Sequence, residues 1–457
     1  MLLKLKQSQF AIFNLRKKMV RPLRLLSCSP FIFISKNRSE PNKLTKFIRF
    51  NHDQSCGQKE PDIQTQVDSP TAPGVESSTL LQKWLKQALL GFATVLTLTT
   101  LIVGGETRRK RAGLAMTSWD FFHEAYPTTD AEWEREFSKY QKIPEYLLSD
   151  QSMTLDEFKE IYTLEYSHRV VARVSGIAIL VSSLALWMGK CSGDRVRAII
   201  YSTMVCMQGL LGWYMVKSGF HQDTMNSTDF PTVSAYRLSA HNVIGVVLYS
   251  LLLHRFLSGF GVEKNPLKIG RSLKLPGMLC HFSLLACLVT IYLGGWVSGK
   301  HAIYANPTDM GSYQKGADSS MNPPGYRTQL ANFFENPVML QQTHKLSGYL
   351  TAILVAATGI SVVTTLRTPF CLIGFISAAS IACVLLQIHL GVSAMFTQEN
   401  TTRANHQLTA YGLISLLIWM AVVLLKIKKG RFNMKHVKGD QASVLQPPPI
   451  PNPRSSK

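Results

Sequence analysis

Four histidines stand at the same end of four apolar segments in this chain: His168 in EYSHRVVARVSG, His241 in YRLSAHNVIG, His344 in QQTHKLSGYLTA and His406 in TRANHQLTAYG. An imidazole just inside an apolar helix is poorly solvated, so its ring nitrogens call for a metal, a haem iron or a buried polar neighbour. The four fall into two pairs, His168 with His241 and His344 with His406, which points to two metal or haem-iron sites. Three residues before each leading histidine, one helical turn away and on the same face, stand Glu165 in the first half and Gln341 in the second. A carboxylate beside a haem can move a proton or orient an attacking group, whereas an amide cannot. The first pair is therefore expected to be the place of reaction, with Glu165 catalytic, and the second an electron-transfer site. Arg237, before His241, and Arg403, before His406, are candidates to hold the propionates of a haem in bidentate geometry. Arg169 and Lys345 fit that role no better than they fit interfacial snorkelling.

These histidines need long helices to carry them. Eight runs of about twenty apolar residues, enough to cross a hydrocarbon layer, lie near residues 85–104, 168–189, 197–216, 237–257, 277–297, 344–365, 369–394 and 405–426. The expected fold class is an all-α membrane protein with eight transmembrane helices, because such runs are too long and too uniformly apolar for barrel strands. The two halves carry the same signals in the same order. TTLIVGG (99–105) matches VTIYLGG (289–295), and Gln208 to Gly212 matches Gln387 to Gly391. His-Arg-Val matches His-Lys-Leu, and His241-Asn242 matches His406-Gln407. This predicts two pseudo-symmetric four-helix bundles in tandem, 81–260 and 261–430, of parallel topology. A histidine pair between facing helices of such a bundle can hold a porphyrin edge-on, its iron bound from both sides. The repeated glycines suit close approach of a helix or a flat cofactor.

Charge is uneven. The chain carries a formal +21, and its first fifty residues hold twelve Lys or Arg against one acid, Glu40. Residues 1–50 have the composition of a mitochondrial transit peptide, 51–80 of a linker, and 431–457 of a disordered basic tail. No aromatic-basic module suggests nucleic-acid binding. Basic residues in the loops after the second, fourth and sixth spans place both termini in the matrix. Thirteen of the twenty-eight acids lie in the loop 105–167, so the histidines are expected toward the intermembrane space. The eight cysteines form no C-x-x-C, which argues against a disulfide framework. The remaining histidines, His301 among them, read as structural or solvent-facing.

The segments EYSHR, VARVSG, QGLLGWYMVKSG, YRLSAH, FENPVMLQQTHKLSGY and ANHQLTA, in that order, closely resemble the mitochondrial haem A synthases, eukaryotic relatives of the bacterial CtaA-type enzymes. The resemblance covers about residues 85–426. It implies eight helices in two bundles, and oxidation of the C8 methyl group of haem O to the formyl group of haem A for cytochrome c oxidase. By position it implies that His168 and His241 flank the substrate haem, that Glu165 is the catalytic carboxylate, and that His344 and His406 bind a haem b cofactor. It also implies a multi-pass place in the mitochondrial inner membrane. The partners it implies are haem O synthase, cytochrome c oxidase assembly factors and a ferredoxin-type electron donor. The alternative class is a two-haem bis-histidine electron carrier that does no chemistry on its haem. The chain departs from the family pattern in two segments. Residues 106–115 lack the family's Leu-Thr pair, with Arg109 in place of the leucine, and 298–303 lack an aspartate.

Overall fold

The structure is a computed structural model and describes residues 73–120, 125–149, 151–189, 191–220, 233–260, 272–304, 333–366 and 372–444. The described helices are α1 (Pro73–Arg109), α2 (Asp130–Tyr140), α3 (Pro144–Ser149), α4 (Leu155–Trp187), α5 (Ser192–Lys217), α6 (Ala235–Ser258), α7 (Lys274–Gly299), α8 (Pro337–Leu366), α9 (Leu372–Thr397) and α10 (Asn400–Val444). Short 3-10 turns follow α1 (Ala112–Leu114), α5 (Ser218–Phe220) and α7 (Ala302–Tyr304), and no strand occurs among the described residues. α1 and α4 to α10 are long and apolar enough to cross a membrane, as the hydropathy of the sequence predicts.

Helix neighbours correspond between the two halves. α1 packs on α4 and α6, and α5 on α4 and α6; likewise α7 packs on α8 and α10, and α9 on α8 and α10. The halves meet where α6 lies on α7 and α10, with α1 also touching α10. At that seam the Tyr249 hydroxyl is 2.8 Å from the Ser415 hydroxyl, and Lys426 Nζ donates to the Leu257 carbonyl at 3.0 Å.

Several boundaries differ from those the apolar runs suggest. α4 starts at Leu155, far ahead of the run, because Thr154 and Glu157 close a capping box around its first turn. α8 starts at Pro337, where the fixed proline φ suits the first helical position and Asn336 Oδ1 accepts from Val338 N at 2.9 Å. α1 begins inside the segment read as linker, and α10 continues to Val444, into the segment read as a tail. The leader 1–50 and residues 51–72 lie outside the described residues. Between α1 and α4 the acidic loop folds α2 and α3 over a small core of Trp133, Tyr140, Phe158 and Tyr162, which joins Leu114, Met116, Val216 and Val233.

Hydroxyls within the spans are satisfied in place. Thr94, Thr97, Thr107, Ser182, Thr358, Ser377 and Ser380 each donate to the carbonyl four residues back, which removes the cost of a bare hydroxyl in hydrocarbon. Between α7 and α8, Ser283 meets Thr358 at 2.9 Å and Thr290 meets Ser347 at 2.7 Å. Cys206, Cys280, Cys287 and Cys383 are free thiols, whereas Cys191 is disulfide-bonded, which the cysteine spacing did not anticipate.

α5 and α6 are stapled by Asp194, whose two oxygens accept from Arg255 Nε and Nη2 at 2.9 Å each, with Arg197 Nη1 also at 2.9 Å. Removing the carboxylate leaves two guanidinium groups facing each other, one of them largely buried. Asp194→Ala is expected to destabilise the solubilised chain by about 2 kcal/mol, read as a lowered thermal midpoint. Asp156→Ala removes a side chain that is 93% exposed and 3.8 Å from Lys159, and is expected to leave that midpoint unchanged.

Candidate functional site

All four histidines line one cavity of 2410 Å³, together with Glu165, Gln341 and the paired glycines of α1 and α7. Each imidazole rests on a glycine of a neighbouring helix. A Cβ built on Gly104 of α1 would lie 2.7 Å from His168 Cε1, and one on Gly212 of α5 3.3 Å from His241 Cε1. On Gly294 of α7 it would lie 3.0 Å from His344 Cε1, and on Gly391 of α9 3.0 Å from His406 Cε1. The glycines picked out by the repeat are therefore the floor on which the four rings lie.

The second pair has the spacing that one metal ion between its rings requires. His344 and His406 stand with ring centroids 6.3 Å apart and planes at 82°. Two metal–nitrogen bonds of about 2 Å, plus about 1 Å from each nitrogen to its ring centre, sum to about 6 Å. His344 Nδ1 is 3.1 Å from the Thr290 carbonyl, an acceptor, so the proton sits on Nδ1 and Nε2 keeps its lone pair for a ligand. Thr100, which holds the matching place in the first half, is the backbone neighbour of His168. No hydrogen bond of good geometry forms there: Nδ1 of His168, of His241 and of His406 is buried without a partner. His406 Nε2 lies 3.3 Å from the Gln387 side-chain amide. Buried polar atoms are rarely left without a partner, and imidazole pairs with three such nitrogens fit haem iron better than they fit structural histidines. Among the described residues no group of three or more His, Cys, Asp or Glu gathers as a metal site, so pairs are the ligand sets on offer.

The leading histidines differ one turn earlier. Glu165 is buried, at 2% exposure. Its Oε2 accepts from Met116 N at 2.8 Å and its Oε1 from Arg169 Nη2 at 2.7 Å. Arg169 also donates to the Ser118 and Met116 carbonyls, and its guanidinium stacks on Trp119 at 4.6 Å. In the second half Gln341 Nε2 donates to the Ala302 carbonyl and Lys345 Nζ to Gln341 Oε1, both at 3.3 Å. Each i, i+4 pair thus grips the turn that follows a Gly-Gly helix, with an ion pair in one half and a cation-to-amide hydrogen bond in the other.

Those turns are the segments that depart from the family pattern, and they too correspond. Arg111 (φ 55°) and His301 (φ 50°) both take the left-handed region, and each donates its N–H to the carbonyl three residues back at 3.3 Å. Neither is glycine, so each turn is held at a cost of about 1 kcal/mol or more. The two segments touch. Arg108 Nη2 donates to the Ser298 carbonyl at 2.7 Å and lies 3.4 Å from His301 Nε2.

The propionate candidates fare unequally. Arg403 lines the cavity, although its guanidinium also donates to Gln398 O and Asn400 Oδ1 at the start of α10. Arg237 is not among the lining residues: it lies over the Tyr214 ring, 3.6 Å from the centroid, and donates to the Tyr214 carbonyl. The cavity is instead rimmed by Arg108, Arg109, Arg111, Lys300 and His301, a set that reasoning from the histidines outward missed. The signal was present in the run Arg109-Lys110-Arg111, a charge excess in an otherwise acidic loop. His301, read from the sequence as structural or solvent-facing, belongs to this rim.

A methyl group forced against His168 must tilt the ring or part α1 from α4. On the expectation that each pair holds a haem, Gly104→Ala should lose most of the haem signal of the first pair while leaving the second, with Gly294→Ala doing the reverse, as read from Soret absorbance and extracted pigment. A family model described as cytochrome oxidase assembly protein, COX15-CtaA, matches residues 87–424. Heme A synthase COX15 of Bos taurus is 32% identical over 391 residues, 82% of this chain and 92% of that protein. Its Homo sapiens counterpart is 31% identical over 421 residues, 89% and 98% of the two. Heme A synthase of Rickettsia felis is 30% identical over 358 residues, 75% and 99%. With the match running through all eight apolar helices and the paired histidines inside it, the chain belongs to the COX15-CtaA family of cytochrome oxidase assembly proteins.

Proposed function

We propose that this chain is a haem A synthase, an oxidoreductase that converts the C8 methyl group of haem O to a formyl group. The observation that carries the reading is one cavity lined by two glycine-backed histidine pairs, with a buried carboxylate beside the first pair alone. His168 and His241 hold the haem O substrate, and His344 and His406 hold a haem b. A haem b bound there supplies reversible one-electron storage. Glu165 takes up a proton at a carboxylate oxygen while Arg169 and the Met116 amide keep the group oriented, since each oxygen has a second lone pair beyond the bond it accepts. Gln341 has no such capacity, which keeps proton chemistry out of the second pair. The cationic rim of Arg108, Arg111, Lys300 and Arg403 suits the propionates of both tetrapyrroles.

In this reading the protein is a multi-pass resident of the mitochondrial inner membrane, its leader a transit peptide. Its termini face the matrix and its histidines the intermembrane space. It receives haem O from haem O synthase, passes haem A to cytochrome c oxidase assembly, and draws electrons from a ferredoxin-type donor.

Glu165→Gln is expected to keep both haems, because an amide still accepts from Met116 N, yet to stop formyl production. Unchanged haem A yield would remove Glu165 from the reaction. His344→Ala is expected to lower haem b occupancy with the first pair still loaded. Pigment extraction decides between this enzyme and a two-haem electron carrier. Protein that yields only haem b when haem O is supplied is a carrier.

A further inference from the structure

The residue after each trailing histidine faces its counterpart across the seam between the halves. Asn242 follows His241 on α6, Gln407 follows His406 on α10, and Tyr411 lies between them. Gln407 Nε2 donates to Tyr411 Oη at 2.6 Å, and Tyr411 Oη donates to Asn242 Oδ1 at 3.4 Å. Tyr411 is 3% exposed and packs in the same apolar cluster as Val246, which is wholly buried. Counted from the trailing histidine, Val246 occupies in the first half the position that Tyr411 occupies in the second. The phenol is thus present on one side of the repeat only, where it reaches the other side.

The chain of hydrogen bonds continues to the rim, and its far end fixes its direction. Arg109 Nη1 donates to Gln407 Oε1 at 2.5 Å, and Arg109 is itself held by Glu106 Oε2 through Nε at 3.1 Å and Nη2 at 2.6 Å. A guanidinium can only donate. The Gln407 oxygen must therefore face Arg109, its amide hydrogens must face Tyr411, and the phenol proton is left to point at Asn242. Room for the Gln407 amide exists because residue 105 is glycine; a Cβ there would strike the amide head-on. Arg109 stands where the family pattern has leucine, and it is this arginine that sets the orientation of the row.

We propose that Arg109, Gln407, Tyr411 and Asn242 form a polarised bridge that couples the two histidine pairs electrostatically, with Tyr411 its central positioning residue. This rests on the reading that both pairs hold haem. Hydrogen bonds aligned in one row polarise one another in a low-dielectric interior, so the field of the row is felt beside His241 and beside His406 together.

The test is a redox titration of the full-length purified chain with its haems bound, following each haem by its absorbance. Tyr411→Phe removes one oxygen and keeps the ring. The expected result is two haems retained with unchanged six-coordinate spectra and both midpoint potentials shifted. Arg109→Leu, which restores the family residue at the end of α1, is expected to shift both potentials in the same sense and by less. If Tyr411→Phe moves only one potential, or neither, the bridge is refuted; a merely structural tyrosine would disturb the ligation spectra instead. Wild-type protein that holds haem at only one pair overturns the two-haem reading, and the bridge with it.

Discussion

The close approach of an imidazole to a glycine backbone sets the rest of this architecture. A Cβ on Gly104 would collide with a histidine ring, and one on Gly212, Gly294 or Gly391 would press against its ring more tightly than ordinary contact. The four contacts join α1 to α4, α5 to α6, α7 to α8 and α9 to α10, which are also pairs of packed neighbours in the two halves. Packing inside a bilayer has little hydrophobic drive, and small residues let van der Waals contact stand in for it. The same glycines therefore bring the helices together and set the rings.

On this shared frame the halves have moved apart in charge. Glu165 with Arg169 and Gln341 with Lys345 occupy the same turn of α4 and α8, and each reaches the same kind of left-handed turn beyond a Gly-Gly pair. A buried carboxylate is tolerable only when paired and hydrogen-bonded, and Arg169 and the Met116 amide meet both needs. Met116, whose amide holds Glu165, follows directly on segment 106–115, which departs from the family pattern.

Much of this was legible in the sequence, for physical reasons. Spans showed because lipid imposes long apolar runs, and the helix neighbours of the two halves are consistent with the repeat. The pairing of the four histidines was legible because their positions in the repeat match. The start of α4 was hidden from hydropathy by Asp156, Glu157, Lys159 and Glu160, although Thr154 and Glu157 spelled a capping box. The placement of Arg237 over a neighbouring tyrosine was not legible, because spacing along a helix does not tell whether a long side chain turns inward. The rim and the Tyr411 row were illegible, since both arise between elements far apart in the chain, such as Arg108 with Ser298 and Tyr411 with Asn242.

The polar groups near the site also bear on how such a molecule can be made. Glu165 and Arg169 pair within α4, Glu106 and Arg109 within α1, and Gln341 and Lys345 within α8, while the span hydroxyls bond to their own helices. Each of these helices carries one partner for those polar residues within itself. A nascent span can then leave an aqueous insertion channel for lipid with those groups already matched, before any neighbouring helix has been synthesised. Assembly of the cavity becomes a later step, in which Nδ1 of His168, His241 and His406 still lacks a partner.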